Sequence, residues 1–366
     1  VNPHSTGSGK RFVLFLLGFL SVLGILLGVG VVQREFLQGW MLFPSAQGAG
    51  MDPAKLYRAM LRARSIDGLQ CLLVSRRGTL VVEQHFVPRS ARQLRDVRSV
   101  TKSVLSLLVG IALDKGVLQN LDQPISTFVS IPNDKMSCGN ITIRHLLTMS
   151  SGFPWDPTFN SADMPEWLEA PDQVAYLLER PMIHAPGEKF QYHDAAVHLL
   201  SVILTKASGM STQRFMQEYL LSALGIGERR WLTDHQGYAN GAIGLFLTPQ
   251  DMLRLGELML HKGVYQGRQI VSPHWIQEAT HPQIATGKRG QLGTDYGFLW
   301  WLGQLPQGRV FFAYGGGGQF IFVVPEQELV IVSQGEWLSL QSEADSEERK
   351  VSLVQLFTDG ILASLR

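Results

Sequence analysis

RSVTKSVLSLLVG, residues 98–110, sets Ser99 and Lys102 one helical turn apart at the head of an apolar run. A serine hydroxyl is a poor nucleophile until something removes its proton. At a helix start, the free backbone N–H groups and the helix dipole favour negative charge developing on Ser99. Lys102, at i+3, projects its amine from the same face. A lysine ordinarily titrates near about 10.4, and burial or neighbouring cations can lower that enough for the neutral amine to accept a proton. The pair could therefore drive acyl transfer, or it could be two polar residues on an amphipathic helix. No other lysine in the chain has a serine at that offset. Position alone leaves both readings open.

The elements that must hold this pair follow from patterning. MDPAKLYRAMLRAR opens with Asp52 as N-cap and Pro53 at the first helical position. LQCLLVSRRGTLVVEQHF predicts a hairpin around an Arg-Gly turn, and SVTKSVLSLLVGIALDKG a helix closing on Gly116. Residues 121–240 read as helical stretches broken by Pro and Gly, and LTPQDMLRLGELMLHKG as a further helix started by Thr248 and Pro249. YGFLWWLG, RVFFAYGG, QFIFVVPE and LVIVSQG predict late strands before a last helix, ERKVSLVQLFTDGILASL. Strands joined by short turns imply an antiparallel sheet rather than βαβ crossovers. The expected class is α+β: residues 51–120 with 241–366 form a lobe built on that sheet, and 121–240 a helical subdomain. A cleft between two such lobes is a natural ligand site.

With 366 residues and 45% apolar content, the chain can bury a substantial core. A formal net charge of +1 gives no reason to expect a nucleic-acid partner. Arg89, Arg92, Arg95 and Arg98 cluster, which predicts a solvated face. The first 50 residues stand apart. FVLFLLGFLSVLGILLGVGVV, residues 12–32, is uncharged and about long enough to cross a bilayer, with Lys10 and Arg11 just before it. That flank predicts a single membrane anchor with everything downstream on the exported, periplasmic side. A cleaved signal peptide is the alternative, with SAQGAG (45–50) as a cleavage region. Cys71 and Cys138 would then face an oxidising compartment, and both are expected to be buried free thiols. No CxxC or HExxH pattern occurs, so neither metal nor cofactor is expected. His193, Asp194 and His198 form the only near-cluster, expected to be polar residues around a helix start.

The SxxK pair at a helix head resembles the first motif of the serine β-lactamase and penicillin-binding-protein superfamily. ITIRHLLTMSSGF, PGEKFQY with the helix after it, LTPQDMLRLGELMLHKGVYQGRQIVSP and YGFLWWLG are similar to elements of its class C-like branch, in the same order. The resemblance implies that Ser99 is acylated, that Lys102 helps deprotonate it, and that Tyr192 shuttles the proton to the leaving group. Tyr238-Ala239-Asn240 spells the family's Y-x-N literally, but the approach and following helix favour Tyr192. Asp194 then stands where the family has Asn; an ionised carboxylate cannot donate to a substrate carbonyl.

The third motif departs further. Ala313, Tyr314 and Gly315 fall in register with the family's K-T-G and supply no cation. The backbone N–H of Gly316 is expected to join that of Ser99 in an oxyanion hole. Trp155, and with less reason Trp300 and Trp301, are expected to wall the pocket. Ala-x-Gly-x-Gly-Gly-Gln resembles the esterase and 6-aminohexanoate-oligomer hydrolase relatives, which implies hydrolysis of an ester or small amide through an acyl-enzyme. The alternatives are a β-lactamase or D-alanyl-D-alanine-type peptidase that recruits another cation such as Arg309, and a non-catalytic ligand-binding or sensor relative.

Overall fold

The computed structural model describes residues 35, 37–88, 90–158, 161–290 and 292–366. The apolar stretch 12–32, Lys10, Arg11 and Arg89 lie outside the described residues. Among the described residues, no helix is long and apolar enough to cross a membrane. The described residues form two compact units, those up to 65 with 355–366, and those of 66–354. In the first, helix α1 (Pro53–Ala63) starts at Asp52, whose carboxylate accepts the N–H groups of Ala54 and Lys55. It packs on the helical turns of Leu356–Ile361.

The second unit opens with the expected hairpin. β1 (Leu69–Arg76) and β2 (Thr79–His85) turn through Arg77 and Gly78, both at positive φ, 51° and 70°. A two-residue turn with both positions left-handed matches the twist of antiparallel strands, and Gly adopts it without strain. The remaining strands come late: β3 (Ile284–Ala285), β4 (Leu292–Tyr296), β5 (Trp301–Leu305), β6 (Gly308–Gly315), β7 (Gln319–Val324) and β8 (Leu329–Gly335). They join the hairpin in one eight-stranded sheet of order β2-β1-β8-β7-β6-β5-β4-β3, antiparallel throughout. β1, β7 and β8 are buried along their whole length, each around a central apolar run.

Helix α2 (Val100–Asp114) packs on β6 and β7 and on α3 (Asp194–Ser208). α4 (Pro249–Leu260), begun by a Thr248/Asp251 capping box, packs on β1, β7 and β8. α5 (Glu343–Gln355) follows the last strand. Residues 121–240 carry helices and isolated bridges, with no longer strand among the described residues.

Two expectations need correction. YGFLWWLG is not one strand: β4 ends at Tyr296, β5 begins at Trp301, and the chain turns between them. The corner is pinned because Phe298 donates to the Ala279 carbonyl and Leu299, at φ 61°, to that of Leu147 (both 3.0 Å). Nor do the arginines share a solvated face. Arg92 is exposed, but Arg95 lies 3.7 Å from Glu336, and Arg98 pairs with buried Asp96 at 3.3 Å. Cys71 and Cys138 are both free and buried.

Candidate active site

Ser99 occupies the N-cap of α2, yet its hydroxyl makes no capping bond and is left to chemistry. The turn before it is tightly held. Arg98 adopts φ 51°, a conformation disfavoured for a residue with a Cβ. It is fixed by its own N–H on Asp96 (2.8 Å) and by its guanidinium lying 4.2 Å over the Trp337 ring. Asp96 also accepts the N–H of Gly244 at 3.1 Å, so one carboxylate ties the nucleophile turn to the 240s loop.

Lys102 is 1% exposed, and its ammonium donates to three acceptors: Ser99 Oγ at 2.8 Å, Asp194 Oδ1 at 2.6 Å and the Ala242 carbonyl at 2.9 Å. Burial, the largest single influence, would lower its pKa, but the charge of Asp194, the Tyr192 hydroxyl and hydrogen bonds to both together hold the value above the ordinary lysine range. The ion pair with Asp194 thus favours the ammonium form of Lys102 at rest. Asp194, at the position where the resemblance led one to look for Asn, is turned onto Lys102.

Tyr192 completes the centre. Its hydroxyl is in hydrogen-bonding reach of both Ser99 and Lys102, and the ammonium lies 5.0 Å from its ring centroid. Burial pushes its pKa up, against the pull of Lys102. The tyrosine is placed by the ITIRHLLTMSSGF element: Gln191 donates its N–H to the Met149 carbonyl and its side-chain amide to that of Trp155 (both 2.7 Å). His193 then caps α3, accepting the Ala196 N–H at 3.2 Å. Tyr238 is elsewhere, lining a separate cleft with Val129, Pro132 and Asp172. Its neighbour Asn240 accepts the N–H groups of Ala242 and Ile243 (3.0 and 3.1 Å), which folds the loop that presents the Ala242 carbonyl to Lys102.

The polar residues 193–198 do lie at a helix start, and both histidines are fully buried. His198 lies 3.0 Å from Asp234 through Nε2 and accepts the Gly241 N–H through Nδ1 at 3.2 Å. His193 stacks on Trp155 at 4.7 Å, and burial drives its pKa down to about 3.

Ser99 and Tyr192 open on a cavity of about 500 Å³ lined also by Phe190, Lys288, Trp301, Phe312, Tyr314 and Gly316. Gly315 lies behind this lining, against the nucleophile turn. A Cβ there would strike the Val97 carbonyl and reach within 3.1 Å of the Ser99 nitrogen, so only glycine lets β6 lie this close. Gly316 faces open space. Ala313 is buried, and the cations on the cavity are Lys288 and Lys350. Arg309 is not among them; it pairs with Glu326 at 3.2 Å and lines a different cavity with Pro273 and Ile276. Of the tryptophans, Trp301 lines the cavity, Trp300 packs edge-on against Phe311, and Trp155 is core behind His193. Among the described residues, no group of His, Cys, Asp and Glu is arranged to hold a metal.

Sequence reading missed the Ala242 carbonyl, the Asp194–Lys102 pair and the two cavity lysines. A backbone carbonyl has no residue-type signature, though Asn240 before Gly241 does mark a side-chain-capped turn.

A family model described as beta-lactamase matches residues 54–334. A 6-aminohexanoate-dimer hydrolase of Paenarthrobacter ureafaciens is 25% identical over 291 residues, 71% of each chain. The D-alanyl-D-alanine-carboxypeptidase/endopeptidase AmpH of Escherichia coli K12 is 27% identical over 258 residues, 62% of this chain and 65% of that one. In three dimensions, the octameric penicillin-binding protein homologue from Pyrococcus abyssi superposes with a TM-score of 0.65 at 20% identity, covering 86% of this chain and 79% of that one. The chain thus belongs to the beta-lactamase family and is a serine hydrolase of the superfamily that holds the β-lactamases and penicillin-binding proteins.

Proposed function

We propose that the protein hydrolyses an ester or small amide through an acyl-enzyme on Ser99, with Lys102 and Tyr192 moving the proton. The observation that carries this is the convergence of the three side chains, with Ser99 and Tyr192 lining one cavity and buried Lys102 Nζ 2.8 Å behind Ser99 Oγ. The Ser99 and Gly316 N–H groups would receive the developing oxyanion. The wall of Phe190, Tyr192, Trp301, Phe312 and Phe320 suits an apolar acyl portion, and the 6-aminohexanoate-dimer hydrolase relative supports a small amide as the scissile group. Residues 12–32 would anchor this hydrolase to a membrane with the catalytic domain exported.

A second reading has one observation in its favour. Lys288 and Lys350 face the cavity and could meet a substrate carboxylate in place of the third-motif cation, as a peptidase or β-lactamase needs.

The test is an activity screen with p-nitrophenyl esters, a chromogenic cephalosporin and short amide oligomers, run beside a fluorophosphonate probe. Wild-type protein is expected to turn over esters or amides and to be labelled, and Ser99→Ala to do neither. Stable labelling of Ser99 by penicillin at low concentration would favour the second reading. No labelling of wild type by any probe would leave only a non-catalytic relative.

A further inference from the structure

Lys102 donates to three acceptors at once, which uses every proton of an ammonium. In that state it has no lone pair to offer Ser99. To accept the serine proton it must first, or simultaneously, give one of its own away. Four groups lie within its reach: Ser99 Oγ, the Tyr192 hydroxyl, the Ala242 carbonyl and Asp194 Oδ1. A peptide carbonyl cannot hold a proton in neutral solution, and the two hydroxyls already carry one each. Only Asp194, at 2.6 Å and 9% exposed, is a base with a free site.

Building on the hydrolase reading, we propose that Asp194 is the proton store of this centre, taking a proton from Lys102 as Lys102 takes the proton of Ser99. The step balances internally. Ser99 Oγ–H passes its proton to Nζ, one Nζ–H proton passes to Oδ1, and the freed Oγ pair forms the bond to the substrate carbonyl carbon. When the tetrahedral adduct collapses, the bond to the leaving group breaks. The leaving group takes the Tyr192 proton, Lys102 replaces it, and Asp194 returns its proton to Lys102. Water repeats the cycle in deacylation. No proton need be lost to solvent before attack, so the resting ion pair is itself the competent protonation state. Asparagine at this position would keep the hydrogen bond and lose the store.

The groups facing the pair leave the neutral range clear. Burial drives His193 down to about 3 and pushes Tyr192 and Tyr296 up, while Arg180 and Asp163 act only through His193. An uncharged residue at 194 therefore removes both the acceptor and the charge that helps hold the Lys102 pKa up, and Lys102 must then discharge its proton to solvent.

The experiment measures the rate of Ser99 labelling by a fluorophosphonate against pH, using the full chain, in wild type, Asp194→Asn and Asp194→Glu. In Asp194→Asn the acid limb should move up by about one pH unit or more, giving a roughly tenfold or greater loss on the acid side, with rates converging above the limb. Asp194→Glu, which keeps the carboxylate, should hold the limb near its wild-type position. A merely structural role would lower the rate equally at every pH. That result, or superimposed profiles, overturns the proposal. Should Asp194→Asn fail to give a cooperative melt, Asp194→Ser carries the same expectation. Absence of labelling in wild type at every pH would sink the hydrolase reading itself, whereas labelled wild type with an unshifted variant sinks the proton store alone.

Discussion

Two tyrosines compete for one role, and their surroundings separate them. Tyr192 is within reach of Ser99 and Lys102, while Tyr238 lines a cleft that does not include either. Tyr192→Phe removes the hydroxyl proposed to relay the proton and, on that proposal, should lower kcat/KM on an ester by about 10²–10⁴. Tyr238→Phe should stay within about threefold of wild type, since truncations away from such a centre have small effects. Steady-state kinetics of the two variants, side by side, decide the assignment. That Ser99, Lys102 and Tyr192 would come together was legible from their types and local contexts. The charge on Lys102 was not, because it is set by a carboxylate 92 positions away in the chain. Asp194 could be seen to replace an asparagine, but which way it turned depended on packing between α2 and α3.

At the scale of elements, the end of β6 lies against the turn at Val97–Ser99, and on the proposed mechanism that contact would set the geometry of attack. Gly315→Ala places a methyl on the Val97 carbonyl and beside the Ser99 nitrogen, so the strand must draw back from the nucleophile. Overpacking of this kind costs about 1–3 kcal/mol, and the displaced Gly316 N–H should lower kcat by about tenfold or more. Urea denaturation and ester kinetics on the same preparation measure both. The hairpin, the capped helices and the late strands were readable from turn residues and capping boxes, which act over a few residues. The break inside YGFLWWLG was not, because it is imposed by hydrogen bonds to Ala279 and Leu147. Aromatic run and aromatic corner look alike in sequence. The arginine cluster misled for the same reason: Arg98 finds its partner in Asp96 and its platform in Trp337.

For the molecule as a whole, buried neutral histidine makes stability sensitive to acid. Folded His193 binds a proton only near about 3, whereas the unfolded chain binds it at the ordinary value of 6.5. Its contribution is complete above about pH 6.5 and is lost as the pH falls toward 3, because there the unfolded state binds the extra proton. The slope from this group is about 1.4 kcal/mol per pH unit at most. His193→Asn keeps a capping acceptor at the start of α3 but removes the titration. It should be less stable than wild type at neutral pH, through lost stacking on Trp155, and show a flatter decline in stability between pH 6 and 4. Melting temperatures across that range test the difference in slope.

The row of rings along the cavity has a further consequence. Tyr192 stacks on Trp301 at 5.6 Å, and the Lys288 ammonium sits 4.5 Å from the centre of the same indole. Trp301 is the single tryptophan among the residues lining that space. An indole with a phenol stacked on it and a positive charge close to its centre has an emission sensitive to both neighbours. Any molecule that displaces Lys288 or shields Tyr192 alters the light it gives out. The protein thus carries its own optical gauge of occupancy, one ring removed from the serine.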